Sequence, residues 1–119
     1  MRYLDVVNTT LTQPIDPTGA KPGEARFVEV EVAEVVNPAH ARLSFEVFFE
    51  PAGAARVGLG MFSLYPVDNP GAFVVPTQGQ VDRAGTLAVA LVVADPVPAG
   101  VPLRVGIARI ALSSGLPRR

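Results

Sequence analysis

The segment RLSFEVFFE, residues 42–50, decides the fold class of this chain of 119 residues. Every second position in it is apolar, and these positions are Leu43, Phe45, Val47 and Phe49. Successive side chains of a β-strand point to opposite faces, so this alternation is typical of a strand that buries one face. The segment therefore predicts a β-strand whose opposite face carries Ser44, Glu46 and Phe48.

A second alternating segment, FVEVEVAEVV, occupies residues 27–36. The sequence NPAH, residues 37–40, links the two segments, and Asn and Pro favour turns. We therefore expect the two segments to form neighbouring antiparallel strands. In that arrangement Glu29 and Glu31 lie on a solvated face opposite Arg42.

Further short strands are predicted on both sides of this pair. They are separated by turns rich in Pro and Gly, and they cover residues 3–7, 56–65, 72–75, 86–94 and 101–112. Within the segment 56–65, Gly58 and Gly60 indicate a bulge or a bend, and Leu59 and Met61 are expected on one side. About seven short strands of this kind predict an all-β fold, an antiparallel β-sandwich of Greek-key, immunoglobulin-like type.

The length and the distribution of turns indicate a single domain over residues 1–119, since 12.5 kDa leaves no room for a second core. Residues 1–24 form its N-terminal strand and loop. Within them, residues 8–23 contain three Pro and two Gly without apolar periodicity, which predicts a long irregular loop. Residues 113–119 are expected to form a frayed tail.

The composition argues against several classes of function. Ten basic and eleven acidic residues give a formal charge of −1, which supplies no net attraction for nucleic acid or an anionic membrane. Cysteine is absent and His40 is the single histidine, so no metal site, no cofactor and no catalytic triad is expected. The sequence also lacks a nucleophile elbow and a phosphate-binding loop. We therefore expect a protein that is not an enzyme.

No targeting signal is apparent. No uninterrupted apolar region follows the first charged residues, and the longest uncharged apolar run, residues 87–94, is far shorter than the roughly 20 residues that span a bilayer. A cytoplasmic location is the expectation.

The same run, residues 87–94, is apolar on both faces of its predicted strand. A helix over residues 82–94 is the competing interpretation, but Val89, Val92 and Val93 are β-branched and favour a strand. An antiparallel sheet with one solvated face normally alternates apolar and polar residues, so this strand has more apolar surface than one core requires.

The surplus of apolar residues predicts a contact surface on an outer sheet face. The residues expected there are Phe48, Ala88, Ala90, Val92, Ala108 and Ile110. The partner is expected to be a second copy of the chain or another protein domain. Internal covering of this face by the loop at 8–23 is the competing interpretation. A ligand-binding module, with Tyr3 or Tyr65 contacting a glycan, is a further alternative.

Three phrases resemble the C-terminal β-sandwich domain of the tyrosinase and polyphenol oxidase family. They are SFEVFF at 44–49, GLGMFSLYP at 58–66 and LRVGI at 103–107, within a region of similarity over residues 42–110. In that family the domain shields or supports a separate helical copper domain. The copper ligands of such a domain are histidines, and His40 alone cannot supply them. The resemblance therefore implies an accessory, non-catalytic role, and it assigns no functional residue.

Overall fold

A computed structural model describes residues 1–19, 25–64, 66 and 68–114 of the chain. Apart from one turn of 3-10 helix at Pro17–Gly19, the regular structure of these residues is β-strand. The eight strands are β1 (Arg2–Leu4), β2 (Thr10–Ile15), β3 (Phe27–Val36), β4 (Leu43–Pro51), β5 (Val57–Ser63), β6 (Gly71–Pro76), β7 (Gly85–Val93) and β8 (Arg104–Ser113).

The strands form two antiparallel sheets of four strands each, which confirms the predicted β-sandwich. Sheet A has the order β1-β8-β3-β6, and sheet B has the order β2-β7-β4-β5. Strand β1 pairs with β8, β2 with β7, β3 with β6 and β4 with β5, as in one long hairpin. Rolling this hairpin adds the pairs β3–β8 and β4–β7, which gives the eight-stranded jelly roll with its two Greek keys.

The order of the strands differs from the immunoglobulin-like order that the sequence predicts. In the immunoglobulin arrangement the first two strands pair with each other in one sheet. Here β1 and β2 lie in different sheets. Strands β3 and β4 are also in different sheets, so the predicted antiparallel pairing between them is wrong. Both strands bury one apolar face. These faces point toward each other across the core, and the two strands are not hydrogen-bonded neighbours in one sheet.

The connection between β3 and β4 crosses from one sheet to the other through a buried amide. The Asn37 side chain is 5% exposed, donates from Nδ2 to the Ala41 carbonyl at 2.9 Å and accepts from the Ala41 N–H at 3.1 Å. Because the connection crosses the sandwich, Glu31 lies beside Arg109 of β8 and not beside Arg42. The expected charge pairing across β3 and β4 is therefore also wrong.

The N-terminal part of the predicted irregular loop is a strand. Residues 10–15 pair with β7 in continuous register and form an edge of sheet B. An edge strand tolerates Pro14, because a proline there leaves no central ladder position unpaired. The segment therefore extends sheet B sideways and does not cover its outer face. Residues 20–24 of the predicted loop and residues 115–119 of the predicted tail lie outside the described residues.

Strand β7 lies between β2 and β4, which rules out the helix interpretation of residues 82–94. The inward residues of β7 meet those of β3, β4 and β8 in one core. Its largest fully buried side chains are Phe45, Phe49, Leu4, Leu43, Leu87, Val28, Val30, Val32, Val47, Val89 and Val105.

A β-bulge in β8 reverses the predicted orientation of its C-terminal half. Glu31 pairs with Arg109 and Val32 pairs with Ile107, so Ala108 is an extra residue without a partner in register. Beyond it, Ile110 is 6% exposed and belongs to the core. The expectation that Ile110 lies on an outer face is wrong, because one inserted residue shifts every following side chain to the other face.

A second bulge lies in β5. The pairing of β4 with β5 shifts between Val47 and Phe48, and Leu59 is the extra residue. Leu59 is 4% exposed in the core, whereas Met61 points to solvent with 59% of its surface exposed. The expectation that both residues share one side is therefore wrong.

Candidate contact surface

Four of the six predicted contact residues lie together on the outer face of sheet B. The register places Phe48 of β4 beside Ala88 of β7, and Ala90 and Val92 continue the row along β7. Met61 of β5 lies on the same face, and Glu46 of β4 lies between it and Ala90. We call the five residues Phe48, Met61, Ala88, Ala90 and Val92 the apolar strip.

The two other predicted residues are not part of this surface. Ala108 is exposed on the outer face of sheet A, and Ile110 is buried in the core. The predicted set of six therefore combines residues of two sheets. The sequence interpretation missed Met61 as a contact residue. Gly58 and Gly60, on either side of Leu59, were the signal of the bulge that turns Met61 outward.

Exposure within the apolar strip is uneven. Met61 is 59% exposed and Val92 is 38% exposed, whereas Phe48 and Ala90 are half-buried. Ala88 is only 3% exposed, since it lies between Phe48 and Thr12 of the neighbouring strands. The strip is therefore a nearly flat surface from which Met61 and Val92 project.

An open groove of about 370 Å³ runs along the β5 side of the apolar strip. Phe48 and Met61 line it, and the backbone around Gly58 and Gly60 leaves it unfilled. The carboxylate of Glu46 is the ionisable group in its lining. A groove of this shape, with an apolar lining and one carboxylate, suits contact with another surface and offers no pair of groups for proton transfer.

Three charged residues lie in or beside the apolar strip without an ion pair among the described residues, and Glu46 lies inside it, between Ala90 and Met61. They are Glu46 and Glu50 on β4 and Arg56 just before β5. The Arg56 guanidinium carbon lies 4.2 Å from the centroid of the Phe48 ring, which is cation–π geometry. The cation therefore covers part of the largest apolar side chain in the strip.

The outer face of sheet A carries an ion pair between Arg104 of β8 and Glu34 of β3. Arg104 donates from Nη2 to Glu34 Oε1 at 2.8 Å, and its guanidinium carbon lies 4.7 Å from the centroid of the Tyr3 ring. The Tyr3 hydroxyl donates to Glu34 Oε2 at 3.4 Å. Arg104 thus covers the ring that the sequence suggested as a glycan contact. Tyr65, the other suggested contact, lies outside the described residues.

The remaining polar side chains form small separate clusters. His40 Nδ1 lies 2.6 Å from Asp68 Oδ2, which joins the loop between β3 and β4 to the loop between β5 and β6. In the described part of the chain, no three His, Asp or Glu side chains are grouped so that they could hold a metal ion. None of the described residues belongs to a helix with the length and hydrophobicity that crossing a bilayer requires.

Comparison of the chain with protein-family models, with curated proteins and with solved structures found no match. The jelly-roll arrangement by itself does not assign a function, because one fold carries many. The function therefore has to be argued from the apolar strip and the charges around it.

Proposed function

We propose that this protein is a non-enzymatic interaction module that associates with a second copy of itself through the outer face of sheet B. The observation that carries the proposal is the exposure of Met61 and Val92, at 59% and 38%, on the face that holds the apolar strip. Neighbouring apolar side chains on a surface mark contact sites, because removing them from water is favourable.

The size of the face supports a dimer of modest affinity. Four strands at a spacing of about 4.8 Å, the longest two of nine residues at about 3.3 Å each, give a face of at most roughly 19 by 30 Å. Two such faces bury at most roughly 1,100 Å² together, which is at the lower end of specific interfaces. We therefore expect a dissociation constant in the micromolar range rather than an obligate dimer.

The experiment that tests the proposal is analytical ultracentrifugation of the whole chain over a wide range of concentrations. The wild type should pass from monomer to dimer, and Val92→Glu should remain monomeric because it places a further charge within the proposed interface. Val74→Glu is the matched control, since Val74 is 49% exposed on β6 of the other sheet. A wild type that stays monomeric at every concentration overturns the proposal.

A second candidate function is that of an accessory domain beside a copper oxidase. It is supported by the position of two phrases that resemble the tyrosinase family, because SFEVFF and GLGMFS are β4 and β5 and supply Phe48 and Met61 of the apolar strip. In this case the strip contacts a helical copper domain instead of a second copy. The gene neighbourhood separates the two candidates, since the absence of an oxidase gene nearby argues against an accessory role.

A further inference from the structure

We infer that Arg56, Glu46 and Glu50 determine which surface the apolar strip accepts, and that the accepted surface is a second copy whose Arg56 contacts these carboxylates across the interface. The inference rests on the proposed self-association and adds the residues that select the partner. It begins from charges that the described part of the chain does not pair.

Other carboxylates of the described residues do form ion pairs with arginine. Elsewhere the carboxylates of Asp95 and Glu34 accept from arginines at 2.9 and 2.8 Å. On sheet B, Phe49 and Val57 form the last register pair of β4 and β5, so Glu50 and Arg56 follow it on neighbouring strands. Arg56 nevertheless lies over the Phe48 ring rather than on Glu50.

The face therefore carries both signs of charge, with Glu46 inside the strip and with Glu50 and Arg56 at its end. A two-fold axis places the same patch on both subunits, so each charged residue of one copy faces the patch of the other. A border with acidic residues alone repels its own copy, whereas Arg56 between Glu46 and Glu50 makes the patch self-complementary. A partner with charges of one sign leaves either the arginine or the carboxylates unpaired.

Arg56 also has a second role in this arrangement. In the single chain its guanidinium covers one side of the Phe48 ring at 4.2 Å. When it turns to a carboxylate of the second copy, the ring becomes available for contact with the apolar strip opposite. The same side chain shields the strip in the monomer and selects the partner in the dimer.

The test is a pair of charge-reversed variants studied by analytical ultracentrifugation. Arg56→Glu makes the border acidic, and the double variant Glu46→Arg/Glu50→Arg makes it basic. Each alone should associate roughly ten-fold more weakly than the wild type or not at all, and an equimolar mixture should form a heterodimer. Arg26→Glu is the control for Arg56→Glu, because Arg26 is exposed just before β3 and its reversal changes the net charge by the same amount.

The outcomes separate this inference from the proposed function. If the wild type dimerises and Val92→Glu does not, while Arg56→Glu associates as the wild type does, the charge assignment is overturned and self-association stands. If the wild type is monomeric, both are overturned. Circular dichroism of each variant establishes that it is folded, and the neutral variant Arg56→Gln should give an intermediate affinity.

Discussion

At the scale of single residues, the ion pair between Arg42 and Asp95 fixes the loop after β7 to the start of β4. Arg42 donates from Nη2 to Asp95 Oδ1 at 2.9 Å and from its backbone N–H to Asp95 Oδ2 at 2.8 Å. The Ala94 N–H in turn donates to the Arg42 carbonyl at 2.9 Å. One carboxylate thus receives both a side-chain and a backbone donor, and it joins two segments that are far apart in sequence.

This geometry predicts the pH dependence of stability. The side-chain hydrogen bond from Arg42, followed by that from its backbone N–H, lowers the pKa of Asp95 below its ordinary value. The pair therefore stabilises the fold above the pKa of the unfolded chain, near 4, and this stability is lost as the pH falls through the lower pKa of the folded state. Thermal unfolding between neutral and acidic pH should show this loss in the wild type.

The variants Asp95→Asn and Arg42→Gln isolate that contribution. Each should lower the melting temperature at neutral pH and reduce its fall on acidification, because each removes the same charged pair. Asp5 and Asp16 retain part of the pH dependence, since the pKa of each is lowered by hydrogen bonds within its own turn. Equal slopes of melting temperature against pH in the wild type and in both variants contradict this assignment.

At the scale of elements, sequence alternation predicts well where a strand is regular. Residues 27–36 are a predicted strand and coincide with β3, and the predicted strand at 42–50 differs from β4 by one residue at each end. Strand β2 was not predicted, because its sequence TLTQPI lacks alternation and contains Pro14. Its strand conformation depends on pairing with β7. That pairing is a long-range contact, which the local sequence pattern does not reveal.

Bulges limited the prediction of the contact surface in a similar way. Alternation assigns a face correctly only until one residue is inserted, and the inserted residues are Ala33 in β3, Leu59 in β5 and Ala108 in β8. For this reason the outward position of Phe48 and Val92, on strands without an intervening bulge, was predictable. The outward position of Met61 and the inward position of Ile110 were not.

The bulge in β8 can be tested directly. Ile110 is buried at 6% exposure, so Ile110→Ala should lower the free energy of unfolding by about 2–4 kcal/mol through the cavity that it leaves. Val74→Ala, on the outer face of the same sheet, should cost less than about 1 kcal/mol. Urea unfolding measures both. Equal small losses mean that Ile110 lies outside the core and that the bulge is misplaced.

At the scale of the whole molecule, the outer faces of the two sheets differ in the ion pairs that they form. On sheet A, Arg104 is paired with Glu34, and Glu31 lies beside Arg109. On sheet B, the charges bordering the apolar strip have no ion pair within the described residues. Under the proposed self-association, the outer face of sheet B gains both apolar burial and charge pairing when a second copy covers it.

The two methionines of the chain can be used to test which of the two sheet faces is covered in a dimer. Met1 and Met61 have similar exposure, 64% and 59%, but Met1 lies near Gly106 on sheet A and Met61 lies in the apolar strip. Oxidation by a limiting amount of peroxide converts exposed methionine to its polar sulfoxide. At low protein concentration both should react at similar rates, whereas at concentrations that favour the dimer Met61 should react more slowly than Met1. Mass spectrometry of the peptides measures the ratio of the two oxidation rates. Burial of the apolar strip must shield the Met61 sulfur, so a ratio that does not change with protein concentration means that the contact lies elsewhere.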